Sequence, residues 1–209
     1  MAEAESWALR GLKIDNSIGK DELRDVYVDL LLERGATDDA LALRWTLFDR
    51  HPTRAHYHDL RRTTERTGGR PGLRDKAIGR LRDASTSRPG FADQLIAVFV
   101  DEGELDNAWE TAVGHSGDLP ESRWHQLIDL RQPAHPQDVI EPWQRLIQSR
   151  LTPVPTSTGT RKPSRWLRYL RDAYAATDNA AAFAAYLGRL RELHKRKTAF
   201  IAKLDRVDL

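Results

Sequence analysis

The chain has 209 residues, enough for one or two domains with a sizeable core. It has no cysteine, which removes disulfides, thiolate metal sites and cysteine nucleophiles, and no run of about 18 apolar residues offers a membrane span. The net charge of +2 is unevenly spread: residues 161–209 hold 12 Lys/Arg against 5 Asp/Glu, a net of +7, and residues 1–160 hold 21 against 26, a net of −5.

In chain order, Met1-Ala2-Glu3-Ala4-Glu5 is acidic and lacks the basic start and apolar core of a signal peptide, so a cytoplasmic location is expected. Residues 2–13 read as a short helix carrying Trp7, Leu9 and Leu12, like the second helix of a repeat whose first is missing. From Asp21, Leu23, Val26, Tyr27, Leu30 and Leu31 follow the i, i+3, i+4, i+7 spacing of an amphipathic helix, which Gly35 stops. Thr37 is the expected cap of the next helix, with Asp38 and Asp39 in its first turn, where the helix dipole favours acids. Ala40, Leu41, Leu43, Leu47 and Phe48 form its apolar stripe, and His51-Pro52 ends it.

Thr53 caps the helix expected over 53–67, with Tyr57, Leu60 and Thr64 inward. After the break at Gly68–Gly72, residues 72–84 place Leu73, Ala77, Ile78 and Leu81 inward. The helix over 90–102 is so apolar (Phe91, Leu95, Ile96, Val98, Phe99, Val100) that it needs cover on more than one side. Residues 104–114 pair with it through Leu105, Ala108, Trp109 and Ala112. Two further helices follow: one opening at Leu119-Pro120-Glu121-Ser122 with Trp124, Leu127, Ile128 and Leu130, and one over 136–150 with Val139, Ile140, Trp143, Leu146 and Ile147. Residues 151–163 are rich in turn formers and read as a mobile loop. Helices resume over 164–176 (Trp166, Leu167, Leu170, Ala173, Tyr174), 179–194 (Phe183, Tyr186, Leu187, Leu190, Leu193) and 197–206 (Phe200, Ile201, Leu204).

Gly35, Gly69 and Gly103 recur at intervals of 34 residues, each closing an apolar helix and opening a turn. Two helices per 34 residues is the tetratricopeptide-like spacing, although the detailed consensus is not kept. The expected fold is therefore all-α, a right-handed α-α superhelix of helical hairpin repeats forming one α-solenoid domain over residues 1–209. A lone hairpin cannot bury both of its apolar stripes and needs stacked neighbours.

The tail carries Trp166-Leu167-Arg168-Tyr169-Leu170, then Phe183-Ala184-Ala185-Tyr186-Leu187-Gly188-Arg189-Leu190, and then His194-Lys195-Arg196-Lys197-Thr198-Ala199-Phe200. With the hairpin around Gly35-Ala36-Thr37-Asp38-Asp39-Ala40-Leu41, it resembles the C-terminal helical region of bacterial SWIM zinc-finger proteins. The C-x-C…C-x-H element of that family has no counterpart in a chain without cysteine, so the family's zinc binding carries over to no residue. The resemblance implies a helical arm of a larger protein, suited to holding protein or nucleic acid.

Candidate chemistry is sparse. Of the seven histidines, His56 and His58 stand at i, i+2, where helical side chains do not face each other, and all seven read as surface or boundary residues rather than zinc ligands. Glu102 and Glu104, or Asp38 and Asp39, have the composition of an acid/base pair, but their places at helix ends read as ordinary helix-terminal acids. There is no phosphate loop and no H-E-x-x-H or G-x-G-x-x-G motif. Catalytic, cofactor and metal residues are accordingly expected to be none, with no small-molecule substrate and no membrane partner. The one candidate contact surface is basic: Arg161, Lys162, Arg165, Arg168, Arg171, Lys195, Arg196 and Lys197, interleaved with Trp166 and Tyr169. Basic charge with aromatics suits phosphate contact and base stacking. The same charges also suit docking on an acidic protein surface, with Trp166 turned into the core. The functional expectation is a non-enzymatic scaffold for a protein partner, with a nucleic-acid-associated module as the alternative.

Overall fold

The structure, a computed structural model, describes residues 20–151 and 161–206. The described residues form eleven helices and no strand. The chain divides into two compact units, Met1–Asp118 and Leu119–Leu209. The helix expected over 2–13 lies outside the described residues, as do 152–160 of the expected loop.

In the first unit the helices are α1 (Lys20–Glu33), α2 (Thr37–Arg50), α3 (Arg54–Arg66), α4 (Leu73–Ser87), α5 (Phe91–Asp101) and α6 (Leu105–Gly114). Sequence neighbours pack against each other, α1 on α2, α2 on α3, α4 on α5 and α5 on α6, and α5 also meets α3. The apolarity of α5 is thereby explained: Ala92 and Leu95 to Phe99 are buried between three helices. The Thr53 hydroxyl accepts from the His56 N–H at 3.3 Å and caps α3 as expected. Thr37 does not cap α2; it is the first helical residue, and Ala36 holds the cap position with no side-chain bond. The turn between α1 and α2 is too short for a separate cap, because Ala36 also closes α1 through its N–H to the Leu31 carbonyl.

The second unit contains α7 (Glu121–Arg131), α8 (Ile140–Leu151), α9 (Arg161–Ala175), α10 (Ala180–Leu193) and α11 (Thr198–Arg206). Here α8 packs on α7 and α9, and α10 on α9. Helix α8 runs through Leu151, and α9 begins at Arg161 rather than 164. Pro163 falls in the first turn of α9, where an amide without hydrogen costs no intrahelical bond, so it does not break the helix.

Three residues expected to face inward are exposed: Val26, Leu130 and Leu193. In each case another residue takes the inward position. Val28 is fully buried with Leu31 against Ala40. Arg131 carries its guanidinium inward to Asp138 at 2.8 Å. His194, four residues after Leu190, is buried in place of Leu193. On α3 it is Thr63 that is buried, while Thr64 is half-exposed and donates to the Leu60 carbonyl.

Four helices end in the same way. At α1, α3, α5 and α9 a residue of positive φ (Gly35, Gly68, Gly103, Asp178) donates its N–H three residues back, and the next residue donates five back. This is the Schellman pattern, which satisfies carbonyls that a helix end leaves bare. The second member is Gly68, so the structural interval is 33 and then 35 residues. The Gly68-Gly69 doublet hid this register, because Gly69 also has positive φ and supplies the five-back bond to Thr64 at 2.9 Å.

Candidate binding surfaces

Within the first unit, α3, α4 and the α5–α6 turn line a groove of about 470 Å³. Its lining sets Leu60, Leu73 and Ala77 beside Arg61, Glu65, Arg70 and Arg74. Glu102 is the electrostatic centre, with a side chain only 10% exposed. A carboxylate so enclosed needs partners to offset its lost hydration. It has three: the Tyr57 hydroxyl donates to Oε1, the Arg74 guanidinium donates to Oε2 at 2.6 and 3.0 Å, and Arg61 Nη1 lies 3.8 Å from Oε1. Arg74 also binds Glu104. Burial, then the bond to Glu102, pushes the Tyr57 hydroxyl above the usual tyrosine range.

Asp101 adds a second tie between α3 and α5. It accepts from Arg54 at 2.5 and 2.8 Å and from His58 Nε2 at 2.7 Å. Burial raises its pKa, but the bonds from Arg54 and His58 outweigh that and hold the carboxyl below its ordinary value. Elsewhere in the unit, Arg–carboxylate pairs tie α2 to α1 (Arg44 to Asp25), α3 to α1 (Arg66 to Asp29), the α3–α4 connection to α2 (Arg70 to Asp38) and α4 to α2 (Arg80 to Asp49). The groove is thus lined by charged side chains already fixed by internal partners. Glu102 and Glu104, considered from the sequence as an acid/base pair, are both bound by Arg74.

In the second unit the basic residues do not behave alike. Trp166, Leu170 and Tyr174 are buried, so the aromatic face of α9 is core. Arg168 and Arg196 are exposed with no partner among the described residues. Arg165 lies over the Tyr169 ring, 5.5 Å from its centroid, and donates to its hydroxyl at 2.7 Å. Arg171 pairs with Asp172 and Lys195 with Glu192. Lys197 donates to the Leu151 carbonyl, closing the end of α8 instead of facing a partner. The side chains of Arg161 and Lys162 lie outside what the structure describes.

The same unit holds a second cavity, of about 660 Å³, among α7, α8 and α9, lined by Glu121, His125, Asp129, Trp143, Arg165, Trp166 and Tyr169. The His125 ring lies 5.2 Å from Trp143 and 4.9 Å from Trp166, and Trp143 lies 5.5 Å from Tyr169. His125, read from sequence as an ordinary boundary histidine, is thus a member of a four-ring cluster. The two tryptophans were legible as apolar positions on their helices; their meeting across three helices was not.

No protein-family model matches the chain, and comparison with curated proteins finds no match. The fold defines an all-α protein of consecutively packed helices. Among the described residues no helix is long and apolar enough to cross a membrane.

Proposed function

We propose that the chain is a non-enzymatic helical-repeat scaffold of the cytoplasm, and that the groove of the first unit seats a segment of a protein partner. The observation that carries this reading is the groove's lining. It joins an apolar strip with guanidinium and carboxylate groups held in place before any partner arrives, so little side-chain entropy is lost on binding. Its volume lies in the range of sites that enclose a few side chains. The fourfold recurrence of one helix-ending geometry supports a repeated hairpin unit. The finer reading is a tetratricopeptide-like, right-handed superhelix whose inner face is the binding face. On the SWIM resemblance, this scaffold is the C-terminal arm of a larger protein.

Arg168 and Arg196, exposed and without a partner among the described residues, favour a second reading in which the basic tail contacts nucleic acid. Affinity capture with the purified chain, with and without nuclease and at low and high salt, separates the two. A protein recovered under all four conditions is the expected result. Loss of recovery with nuclease, or a steep decline with salt, moves the function to the basic tail.

A further inference from the structure

We infer that the segment seated in the groove of the first unit is basic and presents a lysine or arginine side chain to Glu65, Glu102 and Glu104. This rests on the groove being the docking site and adds the chemistry of its occupant. Tyr57, Leu60 and Ala77 are buried, so an occupant meets chiefly the charged side chains of the lining and the half-exposed Leu73.

Those charges do not balance. The lining holds three arginines (Arg61, Arg70, Arg74) and four carboxylates (Glu65, Asp101, Glu102, Glu104). Two of these groups are matched from outside the lining: Asp101 by Arg54 and His58, and Arg70 by Asp38. Arg61 and Arg74 are left to face Glu65, Glu102 and Glu104. Arg61 donates to Glu65 at 2.8 Å and stands 3.8 Å from Glu102, so Glu102 and Glu104 share Arg74. One negative charge is in excess, and the groups that carry it are open to an occupant: the Glu104 side chain is 33% exposed and that of Glu65 62%. A carboxylate offers about four acceptor positions, so a further donor need not displace Arg74. The surroundings have the same sign. Residues 89–118, which span α5 and α6, hold seven Asp/Glu and no Lys or Arg. Among them Asp106 and Glu110 are exposed on α6. A cleft with an excess of one sign concentrates ions of the other. A basic segment therefore supplies the pairing that the groove lacks. An acidic one adds a further carboxylate to the excess, and a neutral one leaves it unmatched.

The test uses three fluorescein-labelled decapeptides with the same leucine and alanine positions, in which two further positions are lysine, glutamine or glutamate. Fluorescence anisotropy reads their affinity for the full chain. Backbone N–H nuclear magnetic resonance shifts of Gly69, Leu73 and Glu104, all in the lining, read the place of binding. At low salt the lysine peptide should bind roughly tenfold tighter than the glutamine one, and high salt should narrow that ratio. Glu104→Gln should weaken the lysine peptide about threefold and leave the glutamine peptide unchanged. Glu65→Gln, at a more exposed position, should do the same and keeps the test valid should Glu104→Gln disturb Arg74. Asp83→Asn removes an equal charge from an exposed position outside the lining and should change neither affinity. If the glutamine or glutamate peptide binds as tightly as the lysine one and shifts the three groove signals, the basic occupant is overturned and the groove reading stands. If the lysine peptide binds without those shifts, or is weakened equally by Glu104→Gln and Asp83→Asn, the basic occupant is overturned and the groove reading loses its support. Binding by none of the three also overturns the basic occupant.

Discussion

Two glycines of the first unit offer one chemical change with two opposite outcomes. Gly103 ends α5 with φ +75°, and a Cβ built there meets nothing within 4 Å. Gly79 lies inside α4, and its Cβ also meets nothing within 4 Å. Packing is therefore removed from both comparisons, and backbone conformation alone decides. Alanine at position 103 must hold a left-handed conformation, which costs roughly 1–2 kcal/mol, offset in part by about 0.4–1 kcal/mol from a stiffer unfolded chain. The net expectation for Gly103→Ala is a loss of about 1 kcal/mol. Gly79→Ala removes the penalty of glycine inside a helix and should gain about 0.5–1 kcal/mol. The two variants should then differ by about 1.5–2 kcal/mol. With a urea dependence of about 2 kcal/mol per molar, their unfolding midpoints should lie roughly 0.8–1 M apart, on either side of the parent. Urea titration followed by circular dichroism reads this directly. Shifts in the same direction, or an unchanged midpoint for Gly103→Ala, would refute the assignment of Gly103 as the conformational stop of α5.

Further expectations concern the ties of the first unit and the end of the second. Tyr57→Phe removes the hydroxyl bond to the enclosed Glu102 while Arg74 remains; the expected loss is about 1–2 kcal/mol in the same urea assay, and a neutral effect would mean Arg74 alone suffices. Asp101 has a lowered folded pKa, so its contribution is complete above the unfolded value of about 3.9 and is lost as pH falls through the folded value. Asp101→Asn should therefore be less stable than the parent at neutral pH and lose less on acidification below about pH 4. Burial first, and then Lys197, lower the pKa of His194, whose Nε2 has no hydrogen-bond partner among the described residues. The unfolded chain takes up that proton more readily, so the contribution is present above about pH 6.5 and declines as pH falls below it. His194→Gln should flatten that part of the pH profile; an identical slope would show that His194 is not its source.

Helix positions were legible because apolar periodicity and glycine punctuation are local signals. Residues 53–67, 90–102 and 104–114 were read from the sequence to within about two residues of α3, α5 and α6. The misreadings arose where two local patterns competed. The nearly continuous apolar run Val26–Leu32 allows more than one stripe, and packing on α2 selects Val28 and Leu31. Pro163 looks like a breaker until its position in the first turn of α9 is known. The candidate sites were far less legible. Glu102 gains its meaning from Tyr57, Arg61 and Arg74, all at least 28 residues away in the chain. His125, Trp143 and Trp166 come from three helices that meet only in the fold. Side-chain convergence across helices leaves no local pattern in the text.

The scaffold reading is tested most directly by crosslinking at the groove. Glu65 lines it with a side chain that is 62% exposed, and Asp83 on α4 is exposed and absent from the lining. A photoreactive phenylalanine analogue is placed at one position or the other, and each chain is irradiated in extract of its source cells treated with nuclease. The account predicts one discrete protein adduct from position 65 and none from position 83. No adduct at 65, or the same adduct from both positions, would contradict it.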